Sequence, residues 1–167
     1  NNVSRYLPLK IYDADLNKWL RGAFLGGQVI NGYAVVQGRL NDFPFDNGAG
    51  KFASGGNVKN IAMRYAPDWP LMKNINGKLL FSGRSMTADV TSAKILDIPL
   101  QNIHADIPDL GTNPVLTAKS AVQADLSQGL NFIQKSPLHH TIGESLQALE
   151  LQGPMQLVLS LSVPLNH

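Results

Sequence analysis

Asn60-Ile61-Ala62-Met63-Arg64-Tyr65-Ala66-Pro67-Asp68-Trp69-Pro70 is the stretch that decides how this chain folds. From Asn60 to Tyr65 polar and apolar residues alternate with period two, the pattern of a half-buried strand. Pro67 and Pro70 then stop the ladder, because each lacks an N–H and restricts the residue before it. Trp69 stands between them, and its large apolar ring is read as a pin that fixes the corner to a sheet rather than as a binding residue. Alternation resumes at Asn76-Gly77-Lys78-Leu79-Leu80-Phe81. The stretch is an anchored turn between two pieces of sheet. A second corner of the same kind, Leu40-Asn41-Asp42-Phe43-Pro44-Phe45-Asp46-Asn47-Gly48, lies shortly before it.

Around these corners, from Gln28 to about Ala124, the chain reads as short strands and turns. Val29-Ile30 leads through Asn31-Gly32, a strong turn signal, into Tyr33 to Leu40. Further strands are expected at 50–53, 58–65, 78–81, 85–90, 94–98, 102–107 and 115–122. Gly83-Arg84, Pro99, Pro108-Asp109 and Gly111 to Pro114 punctuate them. Many short strands at close spacing predict a meandering antiparallel sheet.

Helical periodicity brackets this region. Asp13 and Asp15 supply a cap and negative charge, and Leu16, Trp19, Leu20, Ala23 and Phe24 form one apolar face before Gly26-Gly27 ends the run. Leu126, Leu130 and Ile133 predict a second helix, begun by Asp125 or Ser127 and stopped at Pro137. Thr141 with Glu144 makes a capping box for a third, with Ile142, Leu146 and Leu149 on its apolar side. Gly153-Pro154 returns the chain to a strand, Met155 to Val163. Its odd positions are all apolar and its even ones polar except Val158.

The 167 residues suffice for one substantial domain. Charged residues are only 16% of the chain, and a net charge of +2 with no basic block gives no footprint for nucleic acid. Cysteine is absent, which excludes disulfides and thiol chemistry. No apolar run approaches the roughly 18 residues of a membrane-spanning helix, and the start at Asn1 has no signal-peptide core. The chain closes on the strand pattern from Leu157 to Val163 with no capping element, so a single domain excised from a longer sheet protein is expected.

Chemistry-bearing motifs are weak. His139-His140 with Glu144 is the only cluster resembling metal ligands; adjacent turn histidines diverge and no further ligand stands at a usual spacing. His104 falls inside a strand pattern and reads as a polar-face residue. Asp42 and Asp46 flank Phe43-Pro44-Phe45 as corner residues, without the oxygen ligands of a calcium loop. Gly48-Ala49-Gly50-Lys51 lacks the first glycine and the Ser or Thr of a phosphate loop, and no Gly-x-Ser-x-Gly elbow occurs. Neither catalytic residues nor a cofactor are expected, and the protein is read as a non-enzyme. A long one-sided sheet must cover its apolar face. Either short helices pack on it, or it curls into a trough for an apolar ligand; periodicity does not separate the two.

Several stretches carry a family resemblance. They are Trp19-Leu20-Arg21-Gly22-Ala23-Phe24, Leu40 to Phe52 with its Asp-Phe-Pro-Phe corner, and Tyr65 to Pro70. With Ala105-Asp106-Ile107-Pro108-Asp109-Leu110 and the closing Gly153 to Pro164, they resemble the YhdP family of AsmA-like envelope proteins, whose wider group includes TamB. The resemblance covers most of the chain. It implies a periplasmic portion of a large protein of Gram-negative bacteria, held in the inner membrane by one N-terminal helix. It also implies a long β-sheet trough that carries phospholipid between inner and outer membranes. The motifs are corners and helix faces, so they designate no catalytic residue.

The combined expectation is an α+β, mostly β domain: a long, twisted, trough-like antiparallel sheet. An amphipathic helix precedes it, and one or two short helices lie near its C-terminal end. Phospholipid acyl chains are expected on the apolar face, with adjoining segments of the same parent chain as partners. Lining is assigned to Leu157, Leu159, Leu161 and Val163, and to Leu79, Phe81, Met86, Ala88 and Val90. In the alternative, helices fill that face and the domain is a scaffold docking other envelope proteins.

Overall fold

The structure, a computed structural model, describes residues 22–111, 113–141 and 152–165. Within them the chain forms one antiparallel sheet whose spatial order equals its sequence order. Its strands are β1 (Phe24–Gln37), β2 (Lys51–Met63), β3 (Met72–Ser82), β4 (Ser85–Ile95), β5 (Ile98–Ile107), β6 (Val115–Asp125) and β7 (Pro154–Pro164). One helix, α1 (Leu126–Gln134), follows β6. The expected meander and mostly β class are what the chain adopts. The helix around Leu16 to Phe24 and the one begun by Thr141 fall largely outside the described residues.

Strands are longer and fewer than the alternation suggests. Residues 50–53 and 58–65 belong to one strand, β2, and 85–90 joins the start of 94–98 as β4. Pro99 does not end a strand; it is the second residue of β5, opposite Lys94. Asn31-Gly32 is not a turn. It sits inside β1, with Asn31 at φ 53° and a register shift between Ile30 and Tyr33. Asn60, Asn74 and Asn102 repeat the device at φ 52°, 53° and 52° in β2, β3 and β5. Each again coincides with a register shift. Asparagine tolerates the left-handed region better than other residues with a Cβ, so these four positions host bulges that bend a strand and add to its twist.

Directly paired residues share a sheet face. One face carries Phe81, Met86 and Ile107 as consecutive partners, and Leu100, Val122 and Leu157 as others. The opposite face carries Lys78, Asp89, His104, Lys119 and Ser160 in one unbroken row. There His104 Nδ1 lies 2.7 Å from Asp89 Oδ1, with both side chains mostly in solvent. The sheet is therefore apolar on one side and polar on the other. Gly77 in β3 allows a close approach to β4, since a Cβ there would stand 2.2 Å from the Asp89 carbonyl oxygen.

The apolar face is packed at both strand ends. The β1–β2, β3–β4 and β5–β6 connections gather at one end, around Phe45, Phe52, Phe81, Met86, Ile107 and Leu110. At the other end Ile61, Tyr65, Ile75, Ile95, Leu100 and Ile103 form a second cluster, against which Trp69 and Phe132 pack. Trp69 does act as the pin. Its ring lies 6.1 Å from Tyr65 and 5.8 Å from Phe132 of α1. Helix α1 starts at Asp125, whose carboxylate accepts from Ser127 N–H, while the Gln128 side chain accepts from Asp125 N–H. Hydrogen bonds from Ser127 N–H and from its hydroxyl hold the Asp125 carboxyl below the usual carboxylate range.

Candidate functional site

Between the phenylalanine end and the tryptophan end runs a row of cross-strand partners: Gly56, Leu79, Ala88, Ala105, Ala118 and Leu161. It crosses six strands without a break. At about 4.8 Å per strand it spans roughly 24 Å, perpendicular to the strands. Four of its six side chains are a methyl group or a hydrogen, so the row lies lower than the aromatic and aliphatic clusters on either side. From Leu79 to Ala118 the row is half-buried, and Leu161 is 38% exposed. Ser54, on the same face opposite Phe81, is buried with no partner for its hydroxyl among the described residues.

Two corners build the walls. At the phenylalanine end, Phe43 meets Phe45 and Phe52 edge-on, with ring centroids 5.7 and 5.2 Å apart. Arg84, in the β3–β4 turn, clasps this corner through paired hydrogen bonds to Asp46, of 2.7 and 2.5 Å. Its guanidinium also occupies the space above Gly111, where a Cβ would lie 1.7 Å from Nη1. At the tryptophan end, Tyr65 sits in the apolar cluster, and burial pushes its hydroxyl up to about 12.

The hydrogen bond from Arg84 holds the Asp46 carboxyl below its ordinary value of 3.8. A lowered folded value means that the clasp stabilises the corner fully above the ordinary carboxylate range. Its contribution is lost as pH falls through the folded value. Protection of the residue 43–48 amides against hydrogen exchange, relative to their intrinsic rates at each pH, is therefore expected to fall in the wild type on acidification below about 3.8. In Asp46→Asn these amides should exchange faster already at neutral pH and lose that acid step. An unchanged acid step in the variant would remove Asp46 from the clasp.

All nine residues assigned to lining from the sequence lie on the apolar face, in different settings. Leu79, Ala88 and Leu161 stand in the central row itself. Phe81 and Met86 are buried in the phenylalanine-end cluster, 2% and 6% exposed. Val90 packs against the tryptophan-end cluster, and Val163 against the other. Leu157 and Leu159 are open on edge strand β7, at 45% and 42%. Gly56, Ala105 and Ala118 escape the sequence reading, because small residues carry almost no hydrophobic signal and only the register places them together.

The described residues form an open antiparallel sheet with one apolar face, on which a row of mostly small side chains lies between two packed clusters. The family model described as "YhdP protein" matches residues 1–167, and the chain belongs to that family. It is 28% identical over 162 residues to the "Intermembrane phospholipid transporter YhdP" of Escherichia coli strain K12, covering 97% of this chain. The chain spans 13% of that relative's length. No solved structure matches. Among the described residues no helix is long and apolar enough to cross a membrane.

Proposed function

We propose that this chain is one domain of a longer envelope protein. In this reading it conducts phospholipid acyl chains between inner and outer membranes along the row from Gly56 to Leu161. That row is the observation that carries the reading: an unbroken line of apolar cross-strand partners, buried at Gly56 beneath Val29 and half-buried from Leu79 to Ala118. Each methylene withdrawn from water contributes about 0.8 kcal/mol, so an acyl chain is held strongly without any polar anchor. A row of alanines and leucines offers no polar well, which lets the chain slide, and passage involves no chemical step.

The similarity to the Escherichia coli intermembrane phospholipid transporter supports phospholipid as the cargo. The family resemblance supports a periplasmic location and an inner-membrane anchor in the parent protein. Leu157, Leu159 and Leu161 continue the lane onto β7, with Val163, Val90, Phe81 and Met86 as its flanks. Among the described residues β1 and β7 each pair on one side only, which fits adjoining segments of the parent chain continuing the sheet.

A photo-crosslinking residue at Leu161 in the intact protein is expected to capture phospholipid in cells, whereas one at Ser160, on the polar face, is not. Capture at neither position, or at both equally, would defeat the conduit. The scaffold reading takes its support from the Phe132–Trp69 contact, through which a helix already covers part of the face. It predicts that the Leu161 probe captures protein instead of lipid.

A further inference from the structure

The central row offers an acyl chain no hydrogen bond, and the rows beside it are nearly as plain. On one side run Phe81, Met86 and Ile107, and on the other Gly77, Val90 and Ile103. Each of these flanking rows meets one polar residue. Ser54 of β2 pairs with Phe81, at the β2 end of the first. Ser120 of β6 stands beyond Ile103, at the β6 end of the second. Its partner on β7 is Leu159, 42% exposed, and two residues away on the same face of β6 is Ala118, a member of the central row. Residues two apart in a strand are roughly 7 Å apart, so a ligand lying over Ala118 comes within reach of Ser120.

The two hydroxyls are in different states. Ser54 is 4% exposed, and its buried hydroxyl has no hydrogen-bond partner among the described residues. Ser120 is half-buried and its hydroxyl contacts lie at the surface. Its Oγ is 3.4 Å from the Gln101 carbonyl oxygen and 3.3 Å from that of Ala121, both long against the roughly 2.7–2.8 Å of a good O–H···O bond. The β5 bulge lies directly opposite. Gln101 pairs with Ala121 and His104 with Lys119, so Asn102 and Ile103 together face Ser120. The Ser120 proton is therefore loosely held, on an otherwise apolar face, one position from the central row.

The surroundings limit what this hydroxyl can take. Its neighbours on the face, Ala118, Val122 and Leu159, bring neither charge nor side-chain donor. A phosphate or an ammonium would lose water there with nothing to balance its charge. A neutral acceptor carried on hydrocarbon loses little and gains the bond. In a phospholipid that group is the acyl ester carbonyl, which joins the chain and leaves the charged headgroup free to stay in water.

We propose that Ser120 is a specificity-determining residue, donating its hydroxyl proton to the carbonyl oxygen of an acyl ester whose chain lies over Ala118 and Ala105. The assignment rests on the conduit reading and adds to it a preference for ester-linked over ether-linked chains.

The test uses the intact protein with the photo-crosslinking residue at Leu161, diagonal to Ser120 across β6 and β7. It is loaded with dioleoylphosphatidylglycerol or with its ether-linked analogue, di-O-oleylphosphatidylglycerol, and adducts at position 161 are measured by mass spectrometry. The wild type should capture the ester over the ether by roughly two- to tenfold, the effect of one neutral hydrogen bond. Ser120→Ala should bring the ester down to the level of the ether and leave the ether unchanged. Ser120→Thr, which keeps the hydroxyl, should keep the preference, and so should Ser54→Ala. Equal capture of the two lipids by the wild type would overturn the ester contact and leave the conduit standing. An equal fall of both lipids in Ser120→Ala would make Ser120 a packing residue and overturn the contact as well. Loss of the preference in Ser54→Ala would take the assignment away from Ser120. If the wild type captures neither lipid, the conduit and the ester contact fall together.

Discussion

Ala105→Trp should cut phospholipid capture by the intact protein by tenfold or more, the loss of roughly 1.4 kcal/mol or above in lipid affinity. Ala105 lies inside the row, between Ala88 and Ala118. An indole there stands up from the floor into the space an acyl chain would occupy. The methyl group it replaces is half-buried, so the ring has an open direction to grow in and need not displace the walls. Overpacking of closed cores costs about 1–3 kcal/mol, and the open side keeps the variant below that range. Ala121→Trp supplies the control, because Ala121 is exposed on the polar face, opposite Gln101 and Val158. Lipid crosslinked to the Leu161 probe should fall in the first variant and hold in the second. Equal capture in both would mean that lipid does not travel over Ala105.

The second large effect separates wall from floor. Phe81→Ala removes a ring that is 2% exposed and packed among Phe45, Met86 and Ile107, and should cost about 3–5 kcal/mol. Leu161→Ala removes a side chain that is 38% exposed on an edge strand and should cost about 1 kcal/mol or less. Hydrogen exchange of the β3 and β4 amides in the intact protein reads the difference directly. Strong deprotection by Phe81→Ala, with little change from Leu161→Ala, is the expected pattern. Comparable small effects would make Phe81 part of an open surface rather than of a packed wall.

Much of this architecture is legible from residue type and spacing. Trp69 between two prolines announces an anchored corner, and the structure supplies the partners, Tyr65 and Phe132. Asp125 announces the start of α1. Met155 to Val163 announces a strand with one apolar side, and the register puts that side with Val122 and Leu116. Asn31-Gly32 misleads for a definite reason. Asn-Gly is favoured wherever φ is positive, and tight hairpins and bulges share that requirement. Only the pairing of Ile30 with Asn57 and Tyr33 with Gly55 shows that the strand runs on.

The candidate site is less legible than the fold. Its floor is made by Gly56, Ala88, Ala105 and Ala118, which lie on four different strands and are joined only by pairing. Ala88 is visible in the sequence only through its alternation with Met86 and Val90. Phe81 and Met86 have the strongest apolar signal in that region, and they are the walls.

The strand order, with every strand beside its sequence neighbours, constrains how such a protein changes length over evolution. Within the sheet each strand pairs only with the strands on either side, as in other quasi-one-dimensional folds. Duplicating a hairpin would extend the structure by about 10 Å and leave its cross-section intact. Adding one strand alone would reverse the direction of everything after it, carrying every later corner to the opposite rim. Growth and loss should therefore proceed in pairs of strands, and relatives of different length should differ by even strand numbers between matching corners.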